Sequence, residues 1–177
     1  MRLTDARRWL VVGNSGSGKT TMARRVGTAL AVPHAELDAL HWHEGWTANP
    51  RFVDEVTGFI ERDAWVVDGF YTPVRAALAA RAQVLVWLDP PPAVILRRVV
   101  VRTVVRRIRR AELWNGNQEP PLRTFFTDDE HVVRWAARTL RLHEARVRAA
   151  LAANRDLRLV RIRSTRDAKR LIARLRG

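Results

Sequence analysis

Apolar residues along this 177-residue chain gather in short strand-like runs at 8–12, 34–38, 65–68, 84–88 and 157–162, with helical stretches between them. Alternation of this kind predicts five strands joined by right-handed crossovers, hence a parallel sheet covered by helices on both faces. Breakers and caps mark where the helices begin and end. Pro33 stops the first, Asn49-Pro50 opens the second and Thr72-Pro73 opens a third. Another starts near Pro92, with Asp89 as its expected N-cap. Thr127-Asp-Asp-Glu130 forms a capping box for a long helix running toward residue 153, and Ser164 or Thr165 caps the last. Ala111 to Phe126, which includes Trp114-Asn-Gly-Asn117 and Pro120-Pro121, follows neither period. Loops of that length are uncommon in compact domains unless they serve a site, so this one is expected to lie over it.

Composition bounds the class. A content of 47% hydrophobic and 28% charged residues describes a soluble globular chain, and its length suits one domain spanning 1–177. No apolar stretch of signal-peptide length precedes the first strand and none approaches ~18 uninterrupted residues, so no membrane is expected and the cytoplasm is the expected compartment. With no cysteine there are no disulfides and no thiolate metal sites. The net charge of +14 favours polyanionic partners, which include nucleotides and nucleic acid. Of the 32 basic residues only Lys19 and Lys169 are lysines, and the abundance of arginine, alanine and valine also reads as GC-rich codon usage. No base-stacking platform or nucleic-acid module accompanies the charge, which makes nucleic acid the less favoured partner. Nothing in the chain forces a dimer.

One of the two lysines stands in Gly13-Asn-Ser-Gly-Ser-Gly-Lys19-Thr20, which fits G-x-x-x-x-G-K-[ST] at every fixed position and follows the run Trp9-Leu-Val-Val12. Glycines at 13, 16 and 18 let the backbone curl until successive N–H groups point inward, and the helix that follows adds its positive end. Gly13, Asn14, Ser15, Gly16, Ser17, Gly18, Lys19, Thr20 and Thr21 are therefore expected to cradle the phosphates of a nucleoside triphosphate. Lys19 supplies a point charge and Thr20 a hydroxyl for Mg²⁺. A dinucleotide fingerprint fails, because G-x-G-x-x-G would need glycine at Thr21.

Trp65-Val-Val-Asp68-Gly69 is an apolar strand ending in a carboxylate, which can hold Mg²⁺ directly or through water; Asp89 is its rival. Glu36 and Asp38, two apart on the second strand, point to the same face. Asp38 is then placed to take or position the proton of an acceptor hydroxyl, and Glu36 to orient a metal-bound water. Arg98, Arg102 and Arg106 recur at i, i+4, i+8, and Arg109 and Arg110 extend the stripe. Guanidiniums gathered on one face repel unless anions or acids meet them, and Arg102 and Arg106 are the pair expected at the triphosphate. His41-Trp-His43 lacks the further ligands of a metal set, whereas Trp42 and Trp46 offer an aromatic pair on which an acceptor ring could stack.

With these elements placed, the chain resembles the adenylate-kinase-like P-loop kinases, most closely the group often labelled topology modulation proteins. The resemblance runs over nearly all residues and includes Arg109-Arg-Ala-Glu-Leu-Trp-Asn-Gly-Asn-Gln-Glu119 in the lid position. It implies the sheet order 2-3-1-4-5, Asp38 and Asp68 near the phosphates, and a lid at about 102–126 opened by Arg102 and Arg106. It also implies ATP and Mg²⁺ as cofactors and phosphoryl transfer to a nucleotide or nucleoside. Shikimate-type kinases of the same architecture carry Asp-x-Asp on the second strand, where this chain has Glu36-Leu-Asp38. A second reading, motivated by the charge and by the label, is a nucleotide-dependent DNA-binding or regulatory protein with weak ATPase activity.

Overall fold

Strands β1 (Arg8–Gly13), β2 (His34–Glu36), β3 (Trp65–Asp68), β4 (Val84–Leu88) and β5 (Arg158–Ile162) form one sheet in the order β2-β3-β1-β4-β5, with every pairing parallel. This computed structural model describes residues 2–108, 112–117 and 142–177. Helices α1 (Lys19–Leu30), α2 (Leu37–His41), α3 (Phe52–Ile60), α4 (Arg75–Arg81), α5 (Pro92–Ile108), α6 (Leu142–Ala153) and α7 (Thr165–Leu175) link and flank the strands. The expected α/β architecture and strand order are both present. The Thr127 capping box, Arg109 and Arg110 lie outside the described residues.

Alternation along each strand feeds two apolar layers. Trp9 and Val11 face one way with Val66 and Val86, where Met22 and Val26 of α1 and Leu171 of α7 cover them. Leu10 and Val12 face the other way with Val67 and Leu85, under Val56 and Ile60 of α3, Leu78 of α4 and Val147 of α6. Trp9 and Trp65 are fully buried, and their indole N–H groups donate to the carbonyls of Ala6 (2.9 Å) and Ile60 (3.0 Å). Neither ring leaves an unpaired donor in the core. Ser164 is the N-cap of α7: its Oγ accepts from Asp167 N while the Asp167 carboxylate accepts from Ser164 N.

Two expectations are corrected. The second strand ends at Glu36, so Asp38 is not on it but in the first turn of α2. The chain turns there because Leu37 goes fully into the core, packed so tightly against the start of the β3 loop that a Cβ on Gly69 (φ 120°) would stand 2.9 Å from the Leu37 Cβ. Asp89 does not cap α5, whose first residue is Pro92 after two further prolines; its carboxylate accepts from Arg161 Nε at 2.9 Å instead, tying the end of β4 to the edge strand β5. Gly13, Glu36 and Asp68 end neighbouring strands on the same side of the sheet, in register Glu36↔Asp68 and Val11↔Asp68. Open parallel sheets bind ligands beyond such carboxyl ends.

Candidate active site

Between β1 and α1 the chain makes a tight loop that only glycine permits at its crest. Gly16 has φ 79°, and a Cβ there would lie 2.5 Å from Val99 Cγ2 and 3.0 Å from the Ile95 carbonyl of α5. Ser17 N donates to Asn14 O at 3.0 Å, and the side chains of Asn14 and Ser17 are buried within the loop. Lys19 and Thr20 open α1. This curl of backbone N–H groups at a helix N-terminus is an anion cradle.

On the β2–β3 side, Thr20 Oγ1 donates to Glu36 Oε1 at 3.2 Å, and Arg24 Nη2 lies 3.6 Å from Glu36 Oε2. Burial, then the neighbouring Asp68 charge, hold the Glu36 carboxyl above its usual range, although the Trp114 indole donates to it. Asp68 is 2% exposed, and its Oδ2 has no hydrogen-bond partner among the described residues. Two crowded carboxylates, one of them orphaned, beside a hydroxyl suit a small divalent cation. No group of three or more histidine or acidic ligands forms among the described residues. Mg²⁺ takes one or two carboxylates and completes its shell with water and substrate phosphates. His34, which no motif marks, places Nε2 3.8 Å from Asp68 Oδ2.

Asp38 faces the opposite layer. Tyr71 Oη donates to Asp38 Oδ1 at 2.7 Å, and Trp42 donates to the phenol oxygen. Burial, followed by the Asp38 charge, pushes the phenol far up, so Tyr71 stays a donor. His41 packs edge-on to Phe52 and lies against Tyr71, and burial lowers its pKa. Trp42 and Trp46 meet edge to face at 5.7 Å, and Trp114 continues the series 6.2 Å beyond Trp46.

From the other flank, α5 reaches over the phosphate loop. Arg102 Nη2 donates to Ser15 Oγ at 2.8 Å, and Arg98 Nη1 stands 3.5 Å from Ser17 O. Arg106 follows one turn farther along the same face. The Trp114–Gly116 turn is fastened to the segment after α2. Asn115 (φ 54°) and Gly116 make it left-handed. Asn115 Nδ2 donates to the carbonyls of Ala39 and Trp42, Asn117 Nδ2 to that of His43 (2.8 Å), and Asn117 Oδ1 accepts from Trp46 N (2.9 Å). A separate cavity of about 480 Å³ is bounded by Leu40, His43, Glu44, Glu55 and Asn115; with two carboxylates and no lysine or arginine in its wall, it suits no phosphate.

No protein-family model matches the sequence, and no curated protein matches it as a relative. Solved structures do match by shape. A shikimate kinase from Acinetobacter baumannii in complex with shikimate superposes with a TM-score of 0.57 at 16% identity, covering 96% of this chain and 90% of that one. A shikimate kinase from Bacteroides thetaiotaomicron gives 0.51 at 18% identity, over 96% of both chains. A gluconokinase from Sinorhizobium meliloti gives 0.50 at 19%, over 99% and 95%. Shape and strand order together give this chain the adenylate-kinase-like P-loop fold that those kinases share.

Proposed function

We propose that the chain is an ATP-dependent phosphotransferase acting on a small-molecule acceptor, a nucleotide or nucleoside by its resemblance to the topology-modulation group. The observation that carries this reading is convergence. The loop at Gly13–Thr20, the acidic pair Glu36 and Asp68, and the Arg98–Arg102 face of α5 meet at one edge of the sheet.

Lys19 and the loop amides hold the β- and γ-phosphates. Arg102 and Arg106 meet the charge spread over the transferring phosphoryl. Asp38, held by Tyr71, accepts or orients the acceptor proton. Thr20, Asp68 and Glu36 would hold Mg²⁺, which when bound neutralises phosphate charge. Kinases bound to shikimate or acting on gluconate share the fold, which supports a small hydroxylated acceptor.

The test is ATP consumption with Mg²⁺ across a panel of nucleoside monophosphates, nucleosides and hydroxy acids. Lys19→Ala is expected to abolish transfer while the circular dichroism spectrum is retained; transfer persisting in that variant would overturn the assignment. Slow hydrolysis indifferent to every acceptor, with steeply salt-dependent DNA binding, would favour the regulatory reading motivated by the +14 charge.

A further inference from the structure

The turn at Trp114–Gly116 is shaped to present one ring. Its backbone closes on itself: Leu113 N donates to Asn117 O at 2.6 Å, Asn117 N donates to Trp114 O at 3.2 Å, and Asn117 Nδ2 donates to the same Trp114 carbonyl at 2.8 Å. Asn115 and Asn117 then tie the closed turn to the segment after α2. Backbone strain marks both sides of that contact. The non-glycine residues at positive φ among the described residues are Ala31, Trp46 and Asn115, and Ala31 only ends α1. Trp46, at φ 58°, belongs to the gripped segment and Asn115, at φ 54°, to the turn. A bulky side chain in the left-handed region is an outlier that persists only where its surroundings hold it there.

The ring so held reaches Glu36. Trp114 is half-buried, its indole donates to the Glu36 carboxylate, and its ring rests edge to face on Trp46 at 6.2 Å. Glu36 needs a holder. Its long side chain ends in a soft torsion, and unequal partners compete for it. Arg24, its side chain 69% exposed, stands 3.6 Å from Oε2 and draws the carboxylate toward solvent. Thr20 Oγ1 donates to Oε1 at 3.2 Å and draws it toward the phosphate loop, while buried Asp68, its register partner on β3, repels it. An indole N–H is a donor without charge. It fixes the carboxylate without cancelling the negative charge that a cation needs, which a guanidinium in its place would do.

We propose that Trp114 is a positioning residue for the divalent cation: its indole N–H holds the Glu36 carboxylate beside Thr20 and Asp68, and the asparagine ties of its turn deliver that donor to the end of β2. Attachment of the turn and loading of the cation are thereby linked, so whatever loosens the one weakens the other. The cation rests on the function proposed above; the contact between indole and carboxylate does not.

The affinity for a fluorescent, non-hydrolysable ATP analogue, measured with Mg²⁺ and again with EDTA, gives the advantage that the cation confers. Trp114→Phe keeps a ring against Trp46 and loses the N–H. In that variant the Mg²⁺ advantage falls by about tenfold or more, the usual effect of losing a group that holds a metal-ligating carboxylate. Affinity in EDTA and the circular dichroism spectrum stay as in wild type, whereas a ring that served packing alone would change both affinities together or neither. Asn115→Ala leaves the indole in place, loosens the turn and lowers the Mg²⁺ advantage in the same direction; it carries the test should Trp114→Phe lose its spectrum. On a Glu36→Gln background the Trp114→Phe loss disappears, because the carboxylate that the indole holds is gone.

An Mg²⁺ advantage left whole in Trp114→Phe, or losses that simply add in the double variant, would overturn the role of Trp114 and spare the phosphotransferase. A wild type indifferent to Mg²⁺ would remove the cation site and the role with it. Mg²⁺ binding that depends on Trp114, without transfer to any acceptor, upholds the role and counts against the phosphotransferase.

Discussion

Acidification should remove one identifiable contribution to stability, that of His143. In the folded chain, burial and then the charges of Lys19, Arg146 and Arg75 push its pKa from 6.5 down to about 3. A depressed histidine favours the neutral form, so its contribution is complete above pH 6.5 and drains away as the pH falls from 6.5 toward about 3. Each unit in that window costs about 1.4 kcal/mol, so moving from neutral pH to about pH 5, some 1.5 units below the unfolded value, costs about 2 kcal/mol. Against a domain stability of about 5–15 kcal/mol that is a large share. Urea denaturation of wild type and His143→Gln at the two pH values isolates it, because every other titrating group is common to both proteins. The wild-type midpoint should fall by about 1 M more than that of the variant, taking a urea slope of about 2 kcal/mol per M. Equal falls in both proteins would refute the reasoning.

The other predictions need simpler measurements. Gly16→Ala forces a side chain at φ 79° into Val99 and the Ile95 carbonyl, and should weaken binding of a fluorescent ATP analogue by about fivefold or more through roughly 1–3 kcal/mol of strain. Tyr71→Phe removes the 2.7 Å donor from Asp38 and should cost about 1.5 kcal/mol in urea unfolding, with kcat falling more than the KM for ATP. Because Glu36 is held above the ordinary carboxylate range by burial and by Asp68, its ionised form burdens the fold at neutral pH. Glu36→Gln should therefore raise the melting temperature in the absence of metal, while Mg²⁺ loses much of its effect on nucleotide affinity. A melting temperature that drops would show that the contacts to Thr20, Arg24 and Trp114 outweigh the buried charge.

What sequence could and could not reveal divides by the range of the interaction. The strands were legible because each is a local apolar run joined by a signalled helix, and the phosphate loop because its glycines and Lys19 are contiguous; the strand order came only with the family resemblance. Asp38 was misplaced because whether β2 continues past Glu36 depends on Leu37 meeting Gly69, a contact between residues 32 positions apart. Asp89 was misread because its partner Arg161 comes from the far edge strand. His34 was within reach, since it stands two residues before Glu36 and shares its face. Tyr71 was not, since its partner Asp38 lies 33 positions away, nor were His143 and Arg146, which only the packing of α6 on α4 brings to the site edge. Arg98 lay on the recognised stripe, but choosing among its members needed the angle at which α5 crosses the loop.

The fastening of Trp114–Asn117 to the segment after α2 uses asparagine side chains on one partner and only main chain on the other: the carbonyls of Ala39, Trp42 and His43 and the N–H of Trp46. Recognition of that kind ignores the side chains of the segment it grips. Ala39 and His43 can thereby change without loosening these hydrogen bonds, whereas His41, Trp42 and Trp46 stay tied through their rings to Phe52, Tyr71 and Trp114. Asn115 and Asn117 have no such freedom. A lineage of such proteins would be expected to change what it binds while keeping those two asparagines fixed.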